Sequence, residues 1–565
     1  MRLDGGTETT HSDGRVRPLP VSRRAFLRRA ALLGGVGLAG GLLAACAPAA
    51  PPAPAKPVLE PTQPAAAPQA APAQAGASPT QQPAAAKPVV FVEGTDVTAF
   101  DPTTVTDTPT WTVLGLLYDG LVTWDKDLKV LPALATKWST SDDKKTWTFE
   151  LREGVKFHDG SPMDSQAVKF SIDRVQDPAT ASAYRAIFAN IFDKVETPDA
   201  KTVKITTKEP YPDLLVTLAP ATSGIVSPAT VQKYGNDYGR NPNGTGPFMI
   251  KDWVSNERLV LVPNPNYWGP KPQISQLTYR PIPEAAARAA VLKTGEADIV
   301  VKIPPEEIKG LEGDQNLSVL KLDSMYQVSW ELNMDKTSPP LGDKRFRQGL
   351  NYAVDKDAIT KIIMQGLATP IVSPFTPKVD FRVELPPYNY DPAKAKELIN
   401  QAGGSGAHIT VWSPQGRYLK DKEASEAVVN YLKEAGLQAD LRIWEWSPYL
   451  KAVREDPERM ASMLGRATPG ADFYTTRLFT KAAIGQYNTT NFSHPRVEDL
   501  AVKARSTFDE SQRAAMYKEI QQIVWDEAPW VFGYNQKAIV GIRKNIQNFE
   551  MLPQEAFLLA NVAKT

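Results

Sequence analysis

The sequence predicts a mixed α/β protein built from more than one lobe. β-Hairpin patterns cluster between 134 and 262, and a βαβ pattern occupies 408–446. The stretch of globular composition from Val89 onward is also too long for a single hydrophobic core.

The first 88 residues stand apart from that body. In the stretch SRRAFLRRAALLGGVGLAGGLLAAC (22–46), Arg23, Arg24, Arg28 and Arg29 precede an uncharged apolar run from Ala30 to Ala45. That run has the make-up of a signal-peptide core and is too short for a comfortable membrane span. Ser22–Arg28 resembles a twin-arginine export motif, and Leu43-Ala44-Ala45-Cys46 has the pattern of a lipobox. The pattern implies removal of residues 1–45 and lipidation of Cys46. Cys46 is the only cysteine, which excludes an internal disulfide. Residues 46–88, rich in Ala, Pro and Gln, read as a tether. At about 3.1 Å per residue such a tether reaches on the order of 100 Å. No later run approaches the length of a membrane span.

The elements of the globular part follow in order. Thr146–Leu151 alternates, with Trp147, Phe149 and Leu151 on one face, and its partner strand lies near Trp138. Asp164 is the expected N-cap of a helix whose buried face carries Val168, Ile172 and Val175. A second hairpin turns at Pro198-Asp199, and a third at Ser255-Asn256 between 248–253 and 258–262. Asp343 caps a helix with Phe346, Leu350 and Ala353 inward. Asp355 caps another, with Ile359, Ile362 and Ile363 buried and Gly366 as its stop. The strand HITVW, a helix through Ala424–Ala435 ended by Gly436, and the strand ADLRIW complete the βαβ unit.

Composition narrows the function. Charged residues are 22% of the chain and the net charge is +1, which argues against nucleic acid as a partner. A Gly-x-Ser-x-Gly elbow and a His-Glu-x-x-His motif are both absent from the sequence. No catalytic residue is assigned, although paired carboxylates leave a secreted hydrolase as one alternative. His158, His408 and His494 have no metal-ligand spacing, so no metal or cofactor is expected. A carrier of a metal complex or haem is the second alternative.

FRQGLNYAVDKDAI (346–359) resembles the signature helix pair of family 5 extracytoplasmic solute-binding proteins, the peptide- and nickel-type receptors of ABC importers. The segments 134–175, 243–269, 390–403 and 521–536 continue the likeness in the family's order. The resemblance implies a periplasmic-binding-protein-like fold of two main lobes, with a cleft and hinge, plus a third inserted lobe. Lobe I is expected from 89–125, 205–330 and 529–565, lobe II from 126–204, and lobe III from 331–528. The hinge is expected near Trp330–Asn333 and Pro529–Tyr534. The protein implied is a monomer outside the cytoplasm, lipid-anchored to the outer face of the cytoplasmic membrane. It takes a peptide-like or saccharide solute and works with membrane permease subunits.

Carried over position by position, the family's cleft implies Asp96, Arg417, Tyr418 and Trp446 as ligand-lining, with Trp330, Trp530 and Tyr534 beside the hinge. LGRATPGADFY (464–474) occupies the segment that touches ligand in relatives. Peptide-binding members commonly place Gly-Trp and then Asp there. Here the pair is Gly465-Arg466, Thr468 stands about where the Asp would be, and Asp472 comes later. Arg466 suits an anionic or hydroxyl-rich ligand end, and an oligosaccharide stacked on Trp446 is an alternative.

Overall fold

The computed structural model describes residues 86–565. The leader, Cys46 and almost all of the tether lie outside them. The alternating strand Thr146–Leu151 buries Trp147, Phe149 and Leu151, as its pattern requires. It sits in a four-stranded antiparallel sheet ordered Ala135–Thr140, Thr146–Leu151, Thr202–Thr207, Phe192–Asp199. Helix Ser165–Gln176 packs on that sheet. Its cap Asp164 accepts from the backbone N–H groups of Gln166 and Ala167, while Val168, Ile172 and Val175 point inward. The core of this lobe also recruits Tyr211, Leu214, Leu218 and Ile225, beyond the expected limit at 204.

Two larger sheets build the main lobes. The first is seven-stranded. It runs Leu317–Leu322, Ala538–Arg543, Ile299–Val301, Pro88–Glu93, Gln276–Pro281, Arg258–Pro263, Phe248–Val254. Its hairpin turns at Asn256, which takes a positive φ of 59°. The second is six-stranded. It runs Ala368–Pro370, Trp530–Gln536, Gln327–Leu332, Ala461–Arg466, His408–Pro414, Gln438–Trp444. The βαβ unit is there, with His408–Pro414 and Gln438–Trp444 parallel and helix Asp421–Glu434 between them in sequence.

Two expectations are displaced. The chain crosses between the main sheets at 323–326 and around Lys537, not at the Trp330 and Trp530 segments. Gln327–Leu332 and Trp530–Gln536 are hydrogen-bonded neighbours inside the second sheet, where Trp330 pairs with Val531 and Glu331 with Trp530. Both runs are central strands, buried on both faces almost throughout. The second displacement is Ile362, expected inward but 73% exposed. After helix Lys356–Ala358 the backbone widens into a π-turn over Ile359–Ile363, with Met364 N–H donating to Ile359 O. The extra residue per turn rotates Ile362 outward. Asp343 and Asp355 do cap their helices, and Gly366 ends the turn at φ 79°.

Among the described residues, no helix is long and apolar enough to cross a membrane.

Candidate functional site

A narrow cavity of about 40 Å3 lies between the loop that leads into helix Thr108–Leu117 of the first main lobe and the second sheet. Thr106 and Asp107 form one wall; Tyr326, Arg417, Tyr418, Trp446, Arg454 and Tyr487 supply much of the rest. The local sequence explains each placement. Asp107 caps helix Thr108–Leu117 and accepts from Thr98 Oγ1 (2.8 Å), Thr110 N (3.1 Å) and Thr110 Oγ1 (2.8 Å). Tyr326 occupies a crossing segment, and its hydroxyl bonds Thr108 Oγ1 at 2.8 Å. Arg417 and Tyr418 follow the βαβ strand His408–Pro414. The carboxylate of Asp421 accepts the backbone N–H groups of Gly416, Arg417 and Tyr418 and so fixes this loop.

Gly465 is required by close approach. A side chain there would run into the rings of Tyr326 and Tyr418. With no Cβ in the way, its N–H donates to Tyr418 Oη at 2.7 Å. Trp446 opens helix Trp446–Glu455 and meets Tyr418 edge-on at 6.2 Å. The Arg417 guanidinium lies 4.7 Å from the Tyr418 ring centroid and 5.1 Å from that of Trp446. Trp446 is buried and its ring is covered by Arg417 and Tyr418, so it offers no open face on which a sugar could stack.

The expected residues thus divide. Arg417, Tyr418, Trp446 and Arg466 come together at the cavity. Arg466, however, is already committed. It forms a two-pronged ion pair with the buried Glu331, at 2.6 and 2.7 Å, and its Nη2 also donates to Tyr487 O. Thr468 accepts from Arg477 Nη1 at 3.3 Å and does not line the cavity. Asp472 is fully buried behind the site, held by Arg505 (3.1 Å) and by the Tyr211 hydroxyl (3.1 Å). Asp96 takes the turn Ser255-Asn256 of the first sheet, accepting from Asn256 N at 2.7 Å. Trp330, Trp530 and Tyr534 are core. Trp330 Nε1 donates to Ser425 Oγ, Trp530 packs on Phe479, and Tyr534 donates to Leu419 O.

Sequence reasoning missed Asp107, Tyr326 and Arg454, which line the cavity, and Arg477, which does not line it but packs on the ring of the lining residue Tyr487. Arg477 is almost fully buried, with its guanidinium 3.3 Å from the centroid of the Tyr487 ring and 4.7 Å from that of Phe473. Burial lowers its pKa, Tyr184 opposes the shift, and the neighbouring Arg466 and Arg454 lower it further, to about 9. The signal in the sequence was an arginine among aromatic residues in the segment Ala471–Phe479. Among the described residues, no group of three His, Cys, Asp or Glu could hold a metal ion.

A family model described as bacterial extracellular solute-binding proteins, family 5 middle, matches residues 129–486. The glutathione-binding protein GsiB of Pectobacterium atrosepticum is 33% identical over 483 residues, covering 84% of this chain and 93% of that protein. GsiB of Escherichia coli K12 is 32% identical over the same length, with 84% and 94% covered. Among solved structures, the periplasmic binding protein DppA of Helicobacter pylori, in complex with the peptide STSA, superposes with a TM-score of 0.79. It is 27% identical, with 84% of this chain and 98% of that chain covered.

Proposed function

Because the chain belongs to the family 5 bacterial extracellular solute-binding proteins, which serve ABC importers, we propose that its cleft captures a small peptide-like solute and delivers it to a membrane permease. The observation that supports this reading most is the cavity walled by both main lobes, with Thr106 and Asp107 on one side and Arg417, Tyr418 and Trp446 on the other. A solute held there touches both lobes at once, so its binding free energy favours the closed form. The relatives' names point the same way, since they bind glutathione or a short peptide. The role is binding, not catalysis.

The chain works outside the cytoplasm, tethered through lipid on Cys46. The support is the arginine-led apolar leader that ends in Leu-Ala-Ala-Cys. Changing Cys46 to Ala should move the protein from the membrane to the soluble fraction, and retention in the membrane would count against the anchor.

Native mass spectrometry of protein purified from its own host tests the solute. A peptide-sized mass lost on denaturation is expected; a hexose series instead would replace the peptide reading with a saccharide one.

A further inference from the structure

A second hollow, of about 460 Å3, opens beside the helix whose N-terminal loop walls the cleft. Gly115 and Leu116 of that helix line it, together with Trp124 of the strand Val122–Trp124 and Gln554 and Phe557 near the end of the chain. Room of that size, with walls mostly aromatic and aliphatic, suits a small organic ligand. Gly115 keeps it open. A glycine inside a helix is destabilising relative to alanine. Yet no neighbour requires one here, since nothing lies within 4 Å of the place its Cβ would take. A larger side chain at 115 would occupy the hollow.

The polar groups around it are of two kinds. In its buried wall, Trp111 (8% exposed) has an indole N–H with no acceptor, and Gln554 (2% exposed) has a side-chain Oε1 with no donor, among the described residues. A bond from Phe557 N to Thr112 Oγ1, at 3.2 Å, holds their two segments together. Buried polar atoms are costly unless hydrogen-bonded, and a hydroxyl both donates and accepts, so it can serve both. Nearer to solvent, Asp125, Asp127 and Glu550 border the hollow. They share Lys126, which pairs with Asp127 at 2.7 Å and whose pKa is raised by Asp127 first and then by Asp125 and Glu550. Lys378 acts on Asp127 from farther off. Asp125 is otherwise held only by the N–H groups of Asp127 and Lys129, and among the described residues Glu550 makes no ion pair. Asp119, past the helix end, is already served by Trp268 Nε1 (2.9 Å) and Thr245 Oγ1 (2.8 Å), with Arg152 over the Trp268 ring. The mouth thus carries more carboxylate than ammonium, which a cationic ligand answers.

We propose that this hollow is a second binding site, separate from the solute cleft, for a small organic amine that carries a hydroxyl. The ammonium lies at the acidic mouth beside Asp125 and Glu550, the hydroxyl meets Trp111 Nε1 and Gln554 Oε1, and the apolar body takes the room that Gly115 leaves. The assignment does not depend on what the cleft binds.

Titration calorimetry on the full chain in mild detergent tests it with three probes. They are tyramine, phenethylamine, which lacks the hydroxyl, and hydroxyphenylpropionate, which has a carboxylate in place of the amine. Tyramine is expected to bind about tenfold tighter or more than either, since each lacks one of its polar contacts. Gly115→Leu fills the hollow, and leucine is the better helix former, so this variant should melt no lower than wild type while losing about tenfold or more in tyramine affinity. Glu550→Gln, at an exposed site, should weaken tyramine about threefold without weakening hydroxyphenylpropionate, and it serves should Gly115→Leu not fold. Wild type that binds no tyramine, or a folded Gly115→Leu variant that binds it as wild type does, overturns the site. Phenethylamine equal to tyramine overturns the hydroxyl contact, and hydroxyphenylpropionate equal to tyramine overturns the cation.

Discussion

Arg466 faces the cavity, yet its charge is spent on Glu331, which is 1% exposed. Arg466→Ala should lower stability by about 3–5 kcal/mol, because the carboxylate would remain buried without its partner. Chemical denaturation measures this. A stability loss under about 1 kcal/mol together with collapsed affinity would return Arg466 to the role of ligand contact. The sequence could suggest Arg466 because its place in the segment was legible. It could not show that Glu331, in a neighbouring strand, would claim the guanidinium, since pairing across a sheet depends on register. His158 gives a second residue-level prediction. Burial pushes its pKa down to about 4, against the opposing effects of the Gly246 carbonyl and Asp159. Between that value and the ordinary 6.5 the unfolded chain holds more protons than the folded one, so stability is full above pH 6.5 and is lost as the pH falls toward 4. The loss is at most about 3 kcal/mol. Thermal melts across that range should slope for the wild type and flatten for His158→Gln, whose amide can still donate to Gly246 O. Equal slopes in the two proteins would show that His158 does not govern this window.

Elements were more legible than contacts. The capped helices at Asp164 and Asp343, the hairpin at Asn256 and the βαβ unit with Gly436 in its turn all follow from local chemistry, and local chemistry is what a sequence displays. Ile362 and the crossing segments were not legible, because a π-turn and a change of sheet both arise from tertiary packing. One pair of loops decides how closely the main lobes approach. Gly94 follows strand Pro88–Glu93 of the first sheet, and Gly416 follows strand His408–Pro414 of the second. A side chain on Gly94 would run into the Gly416 carbonyl. One on Gly416, at φ 78°, would lie 2.5 Å from Pro283 O. Neither loop has room for a methyl group while the lobes touch. Gly94→Ala, at a position without the left-handed φ of Gly416, should therefore raise the free energy of the closed form by about 1–3 kcal/mol and weaken binding about tenfold or more. The melting temperature of the ligand-free protein should change far less. Titration and thermal melts on the one variant check both, and equal losses in the two would mean that the glycine supports the fold rather than closure.

Across the whole molecule, the chain joins its main sheets through two short segments, 323–326 and the region of Lys537. Rotation about two such segments needs few backbone changes, which is what a hinge requires. The surrounding contacts are of two kinds. Tyr326 sits in one crossing and reaches both Thr108 and Arg417, so the hinge itself touches the site. Farther out, polar contacts tie the lobes in this closed form, among them Lys420 with Glu306 at 2.7 Å and Arg454 with Thr106. In Lys420–Glu306 the carboxylate is about half exposed, and a pair so open to solvent contributes about 1 kcal/mol. Against it stands the repulsion between the buried Arg477 and its neighbours Arg466 and Arg454, both of which lower the Arg477 pKa. A ligand that touches both lobes adds contacts that only the closed form makes, so binding favours closure. Small-angle scattering should then give a smaller radius of gyration with saturating glutathione than without it. A ligand-free wild type already at the bound radius would mean that the cleft is preformed.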